Sequence, residues 1–315
     1  MKLQIYFDSK LKGEFRDKDG NYIETVRLYH ASGRLKDEIR YRNGLLEGAC
    51  RRYFANGRLE GEEIYDSETG EVDCKRYWEN GKLRFEYVSQ GGKKKGLCKY
   101  YFKNGCIKQE VNHRNGNMYV TMRGYYYGGK PKFEEVLSND MRNGLCKYYF
   151  KSGIVHKELS YKYERRDGIC KVFYKNGCLK SKANYTNDVM DGILESYYES
   201  GGLKFKCDCI NGKYEGVGIG YYENGQIEYQ EVYKNDVRVG LCKYFFNNGN
   251  LKAEENLKDD IRHGICNYYH ESGGLRKVLT CRDGEVIEVY QVPNITRTNE
   301  EKRFTLRSPE ACLAF

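Results

Sequence analysis

Thirteen cysteines, five histidines and a recurring glutamate are the residues of this 315-residue chain whose types could do chemistry. Thiolates bind zinc, form disulfides or act as nucleophiles, so their spacing is the first test. Cys50, Cys74, Cys98, Cys146, Cys170, Cys242 and Cys266 all fall at one phase of a 24-residue period. On successive β-hairpins, equivalent positions lie about 9 to 10 Å apart. A disulfide needs Cα atoms within about 7 Å, and thiolates sharing a zinc ion each approach it to about 2.3 Å. Phased cysteines therefore read as small buried hydrophobes in a reducing compartment. Cys207 and Cys209 lack zinc-finger spacing.

The histidines, His30, His113, His156, His263 and His270, are scattered, and none completes a nucleophile–base–acid arrangement. Glu38, Glu62, Glu86, Glu110, Glu134, Glu158 and Glu254 share one phase. Acid–base catalysis needs one differentiated pair, whereas equivalent carboxylates in a row mark a solvated face. The glycine-rich stretch GGKKKG (91–96) lacks the Lys-Ser/Thr ending of a phosphate loop. The expectation is a non-enzymatic protein with no catalytic, metal or cofactor residues.

What positions these residues is an array. A glycine recurs at 33, 57, 81, 105, 129, 153, 177, 201, 225, 249 and 273, always 24 residues apart. A fixed period of this size means stacked units. Leu or Ile follows two residues later in nine of the eleven units, Pro131 and Val155 being the exceptions. In the clearest copy, GLCKYYFKNGCIKQE (96–110), Asn104-Gly105 separates two strand-favouring runs and predicts a two-residue type I′ hairpin turn. That turn sets Phe102 opposite Ile107, Tyr101 opposite Lys108 and Lys99 opposite Glu110. The same register pairs Arg51 with Glu62, Lys75 with Glu86 and Lys147 with Glu158. A second glycine nine residues before the marker (Gly48, Gly96, Gly144 and equivalents) reads as the turn that opens each hairpin.

The hydrophobic content is 39%, much of it supplied by 31 Tyr, 13 Phe and 13 Cys, which suits thin half-wet sheets better than deep cores. Only three prolines interrupt the chain. Net charge is +9 with signs interspersed, a weak lean toward acidic partners and no nucleic-acid footprint. No signal peptide or 18-residue apolar run is present, so a cytoplasmic location is expected.

The units YYFKNGCIK (100–108), YYENGQIE (221–228) and YFFNNGNLK (244–252) resemble the MORN repeat variant. Its bacterial copies are often labelled antitoxins of the YwqK type, and large DNA viruses carry multi-copy versions; a viral origin would imply host cytoplasm or virion. The resemblance covers roughly 5–290 and implies binding or scaffold proteins without shared catalytic residues. It adds two alternatives: an antitoxin-like inhibitor of a toxin, and a peripheral membrane scaffold.

The resulting expectation is an all-β, elongated array of about twelve stacked 24-residue hairpin repeats, either a single sheet or a flattened β-solenoid. A degenerate cap occupies 1–24, the array 25–284, and a last strand with a cap or tail 285–315. Alternation places Cys98, Tyr100, Phe102 and Ile107 on a packed face and Lys99, Tyr101 and Glu110 on a wet one. The candidate partner-binding face comprises Lys75, Tyr77, Lys99, Tyr101, Lys147, Tyr149, Lys171, Tyr197, Tyr221 and Lys243. Its expected partner is another protein, with weak association to anionic membranes, and with neither specific nucleic acid nor a small-molecule substrate. Gly128 to Pro131 and the Gly218/Gly220 pair break the pattern and are expected to bend or loosen the array. The ending Cys312-Leu-Ala-Phe formally fits a prenylation box at Cys312.

Overall fold

The computed structural model describes residues 15–16, 19–114 and 119–293, which hold 28 strands and no helix. The first degenerate copy (5–12), Pro309 and Cys312 lie outside the described residues. The chain divides into two units, residues 1–203 with 209–212, and 204–208 with 213–315. Within each unit the strands pair antiparallel with their chain neighbours: Tyr22–Tyr29 with Leu35–Arg42 in the first, for example, and Lys213–Tyr221 with Ile227–Lys234 in the second. Antiparallel meandering of this kind makes an open sheet, so of the two expected architectures the sheet is the one adopted.

Two turn types alternate, and they are not where the sequence suggested. At the marker glycine the loop has three residues. Phe102 N–H donates to the Cys106 carbonyl at 2.9 Å, and Gly105 N–H donates back to the Phe102 carbonyl at 2.9 Å. Gly105 has φ +90°, while Asn104 stays out of the left-handed region. Asparagine serves here through its side chain. Asn104 Oδ1 accepts from Cys106 N–H at 3.0 Å, and Asn80 Nδ2 donates to the Lys103 carbonyl at 2.8 Å, stapling one repeat's turn to the next.

Type I′ turns close the opposite end of most of the described repeats, the longer Asp66–Gly70 loop being an exception. Asn43-Gly44, Asn187-Asp188 and Asn235-Asp236 carry positive φ at both positions. The second glycine is correspondingly not a turn residue: Gly48 and Gly144 begin strands Gly48–Tyr53 and Gly144–Tyr149 just after those turns, at φ +69° and +120°.

Register follows from both facts. Tyr101, not Phe102, faces Ile107; a bulge at Lys108 then sets Tyr100 opposite Gln109 and Lys99 opposite Glu110. The extra loop residue and the bulge cancel, so the expected pairs Arg51–Glu62, Lys75–Glu86 and Lys147–Glu158 all form.

The packed face is one row deep. Cys98, Val111 and Val120 are buried under Tyr87, Tyr100, Met122 and Leu137 in the first unit; Cys266, Leu279 and Cys281 lie under Tyr268 in the second. Cys98, Cys146, Cys242 and Cys266 have no exposed surface. A small side chain suits this slot because large tyrosines close over it.

Neither break in the pattern loosens the sheet. Pro131 opens strand Pro131–Ser138 and faces Tyr125, and its turn keeps both hydrogen bonds, at 2.8 Å. Gly218 and Gly220 make room instead. A Cβ on Gly220 would overlap the Tyr229 ring directly across the ladder, and one on Gly218 would come within 2.7 Å of the Tyr233 ring. Gly124 and Phe133 repeat the arrangement. Large and small residues thus exchange across a pair, tyrosine facing glutamine at Tyr100–Gln109 and glycine facing tyrosine at Gly220–Tyr229. Gly220→Leu should cost about 1–3 kcal/mol through overpacking. The double variant Gly220→Tyr/Tyr229→Gln should recover most of that loss in urea titrations; additive destabilisation would refute size exchange.

Candidate functional site

Strand alternation sets the candidate residues on the face opposite the cysteine column. Lys75, Tyr77, Lys99, Tyr101, Lys147, Tyr149, Lys171 and Tyr197 belong to the first unit, Tyr221 and Lys243 to the second. All ten side chains are half-buried.

In the first unit their charges form one row across the sheet. Arg27, Glu38, Arg51, Glu62, Lys75, Glu86, Lys99, Glu110, Arg123, Glu134, Lys147 and Glu158 stand opposite one another in that order, each sign facing the other. Glu158 lies 3.3 Å from Lys147 and 3.5 Å from Lys171, so it bridges two repeats. Glu38 does the same between Arg27 at 3.0 Å and Arg51 at 3.8 Å. The one fault is Lys171 opposite Lys182, and these turn apart, Lys171 to Glu158 and Lys182 to Glu195 at 3.3 Å. Exposed pairs of this sort contribute only about 0.2–1 kcal/mol each, but together they fix register.

The tyrosines join the same carboxylates. Tyr101 donates to Glu86 at 2.6 Å, Tyr125 to Glu110 at 2.6 Å and, in the second unit, Tyr269 to Glu254 at 2.8 Å. Burial, reinforced by the bond to Glu110, pushes the Tyr125 hydroxyl up to about 12. The Tyr269 bond, with Asn267 and Lys243 beside it, holds Glu254 below the usual carboxylate range. These groups are largely consumed by one another.

What remains outward-facing on this face is a column that sequence reasoning passed over. Leu97, Leu145, Ile169 and Ile193, each immediately before the cysteine position, are 46–49% exposed. Val217, Leu241 and Ile265 repeat the arrangement in the second unit. Their common phase was visible in the sequence. Where the column is broken by Thr121, an open hollow of about 480 Å³ lies between Leu97 and Leu145, with Glu110, Arg123 and Lys147 on its walls.

Burial pushes the thiols of Cys98, Cys146 and Cys266 up, favouring the uncharged form. Among the described residues no group of three or more metal-ligating side chains converges.

Comparison with family models supplies the identification. The MORN repeat variant matches at 71–88, 142–163, 166–187, 190–208, 214–235 and 238–259, and the MORN repeat at 40–57 and 90–107. The chain belongs to the MORN-repeat family. MORN repeats are in general interaction or membrane-binding modules, and in general non-catalytic. No curated protein matches this MORN-repeat chain.

Among solved structures, the chain is similar to part of a Photorhabdus luminescens Tc holotoxin pore, at 11% identity and a TM-score of 0.20 over 88% of its length. A second likeness, to TcdB2-TccC3-TEV, has 10% identity and a TM-score of 0.18 over 84%. The chain spans 17% of the length of either, and neither likeness bears on its function. Among the described residues of this MORN-repeat chain, no helix is long and apolar enough to cross a membrane.

Proposed function

We propose that the chain is a non-enzymatic scaffold that holds another protein on its Tyr/Lys/Glu face. The exposed aliphatic column carries this reading. Lys99, Lys147, Lys171 and their glutamates are already paired, so ionic groups set the surface's shape while Leu97, Leu145, Ile169 and Ile193 offer unsatisfied apolar area. Half-exposed aliphatics at a fixed spacing, flanked by tyrosines, match the apolar centre and polar rim of protein interfaces. Alternating charge across the face speaks against an anionic membrane or nucleic acid as the principal partner, since both require unpaired cations.

The test is capture from native lysate by full-length chain. The expected result is a stoichiometric protein retained by wild type and weakened about tenfold or more by Ile169→Lys/Ile193→Lys, with unchanged circular dichroism. Equal retention by the variant, or no stoichiometric partner, would remove the proposal.

A further inference from the structure

The residue before each marker turn is aromatic or histidine, and in several repeats that carry a polar tip there the tip closes a hydrogen bond to the following repeat. Tyr126 donates to the Tyr149 carbonyl and Tyr174 to the Tyr197 carbonyl, each at 2.8 Å; His30 Nε2 lies 2.9 Å from the Tyr53 carbonyl. Trp78 occupies this position in its own repeat and departs from the rule. Its indole N–H is buried and, among the described residues, meets no acceptor. An unmade bond of this kind costs about 1–3 kcal/mol, and a group that bears such a cost invites a ligand acceptor.

The surroundings define that ligand. The Arg84 guanidinium lies 4.8 Å from the centre of the indole and the Lys103 ammonium 5.5 Å, both over its face. Beside them opens a hollow of about 570 Å³, walled by Phe85, Phe102 and Tyr127, with Lys108 on its margin. Phe102 and Tyr127 meet at 5.2 Å and 60°, leaving an angled aromatic wall. Along the charge row from Arg27 to Glu158 the lysines and arginines meet glutamates across the ladder. Among the described residues Arg84, Lys103 and Lys108 meet no carboxylate, and the acidic residue nearby, Glu79, lines an adjoining hollow.

We propose that the Trp78 hollow binds a nucleoside phosphate. The anion sits among Arg84, Lys103 and Lys108, with one oxygen accepting the indole hydrogen after the Lys103 chain swings aside. The base stacks on the Phe102–Tyr127 wall. Cation-rich aromatic surfaces retain planar anions through both charge and stacking, and the hollow is of the size that takes a small ligand. The site contains none of the glycine-rich loops that usually cradle phosphate. It adjoins the partner-binding face through Tyr101, which also lines the hollow, and otherwise lies at the marker-turn ends of the hairpins.

Trp78 is the chain's single tryptophan, so emission excited at the red edge of absorption, where the 31 tyrosines are scarcely excited, reports on this hollow alone. ADP titrated into full-length chain should give saturable quenching. Inorganic pyrophosphate and adenosine, each supplying half of the ligand, should bind about tenfold more weakly or worse. Lys103 and Lys108 are exposed, so Lys103→Gln/Lys108→Gln should fold normally yet lose at least tenfold in ADP affinity by fluorescence and calorimetry. No saturable change at millimolar ADP, equal binding of pyrophosphate, or undiminished binding by the double variant would each overturn the assignment.

Discussion

Glu231→Leu is expected to lower the stability of the second unit by about 2–4 kcal/mol, among the largest effects of any single substitution in the chain. Glu231 is a charged residue with only 8% of its surface exposed. It occupies the position that Val111 holds in the first unit's core, and it faces Gly218 where other repeats carry cysteine. Its carboxylate accepts from Tyr233 at 2.6 Å, Tyr244 at 2.9 Å and Arg238 at 3.1 Å. Leucine is the residue at two equivalent slots, Leu159 and Leu279, although Glu63, Glu135 and Glu255 hold others, so area burial alone would predict stabilisation. The losing term is the set of stranded donors: two tyrosine hydroxyls half-buried on the packed face keep no partner, although Arg238 retains Asp260 at 2.7 Å. Urea titration followed by far-ultraviolet circular dichroism measures the outcome. A midpoint at or above wild type would mean that the network is ornamental and the row of apolar packing suffices.

Alkali should unfold the chain cooperatively between about pH 10 and 12. Tyr87, Tyr125 and Tyr268 are pushed up to about 12, first by burial and then by hydrogen bonds to Cys74, Glu110 and Glu255 respectively. Tyr101, Tyr148, Tyr233 and Tyr244 are raised further, again by burial first. Each hydroxyl has a higher pKa folded than its ordinary value of 10. The folded state therefore binds more protons once the pH passes 10, and the contribution, complete below that point, is lost as pH rises through the folded value. Many tyrosines shift in the same direction, so their effects accumulate in one window. Phenolate absorbance and loss of sheet signal should rise together; gradual ionisation from pH 10 with the sheet intact would contradict the coupling.

The sheet was legible in the sequence because its signals are local and repeated. Gly105 marks a turn, Leu97 to Phe102 alternate, and Lys99 pairs with Glu110 as expected. The turn chemistry was misread for a physical reason. Asn-Gly is the standard type I′ pair, yet here asparagine acts through its amide on the neighbouring repeat, and that contact appears only when repeats are stacked. The type I′ turns sit instead at pairs such as Tyr163-Glu164 and Asn187-Asp188, whose residue types vary from repeat to repeat. Gly218 and Gly220 suggested a weak point because a missing side chain is visible in sequence, whereas the ring that fills its place comes from another strand. Of the candidate face, the Tyr and Lys columns were found, but their mutual neutralisation and the exposed column at Leu97, Leu145, Ile169 and Ile193 were not. Trp78 showed only as a lone residue type; its unsatisfied N–H arises from how neighbouring repeats stack around it.

The alternating charge row gives the chain a grammar of length. From Arg27 to Glu158 each repeat contributes one cationic and one anionic strand in fixed order, as Lys75 with Glu86 and Lys147 with Glu158 do. Within that stretch whole repeats can be gained, lost or shuffled and every sign still meets its opposite. An insertion of half a repeat would bring like charges face to face along a new seam, and an odd number of residues within a strand would turn the cysteines outward. Unequal exchange within such a coding sequence therefore proceeds by quanta, and heredity can tune the extent of the surface in steps without redesigning it.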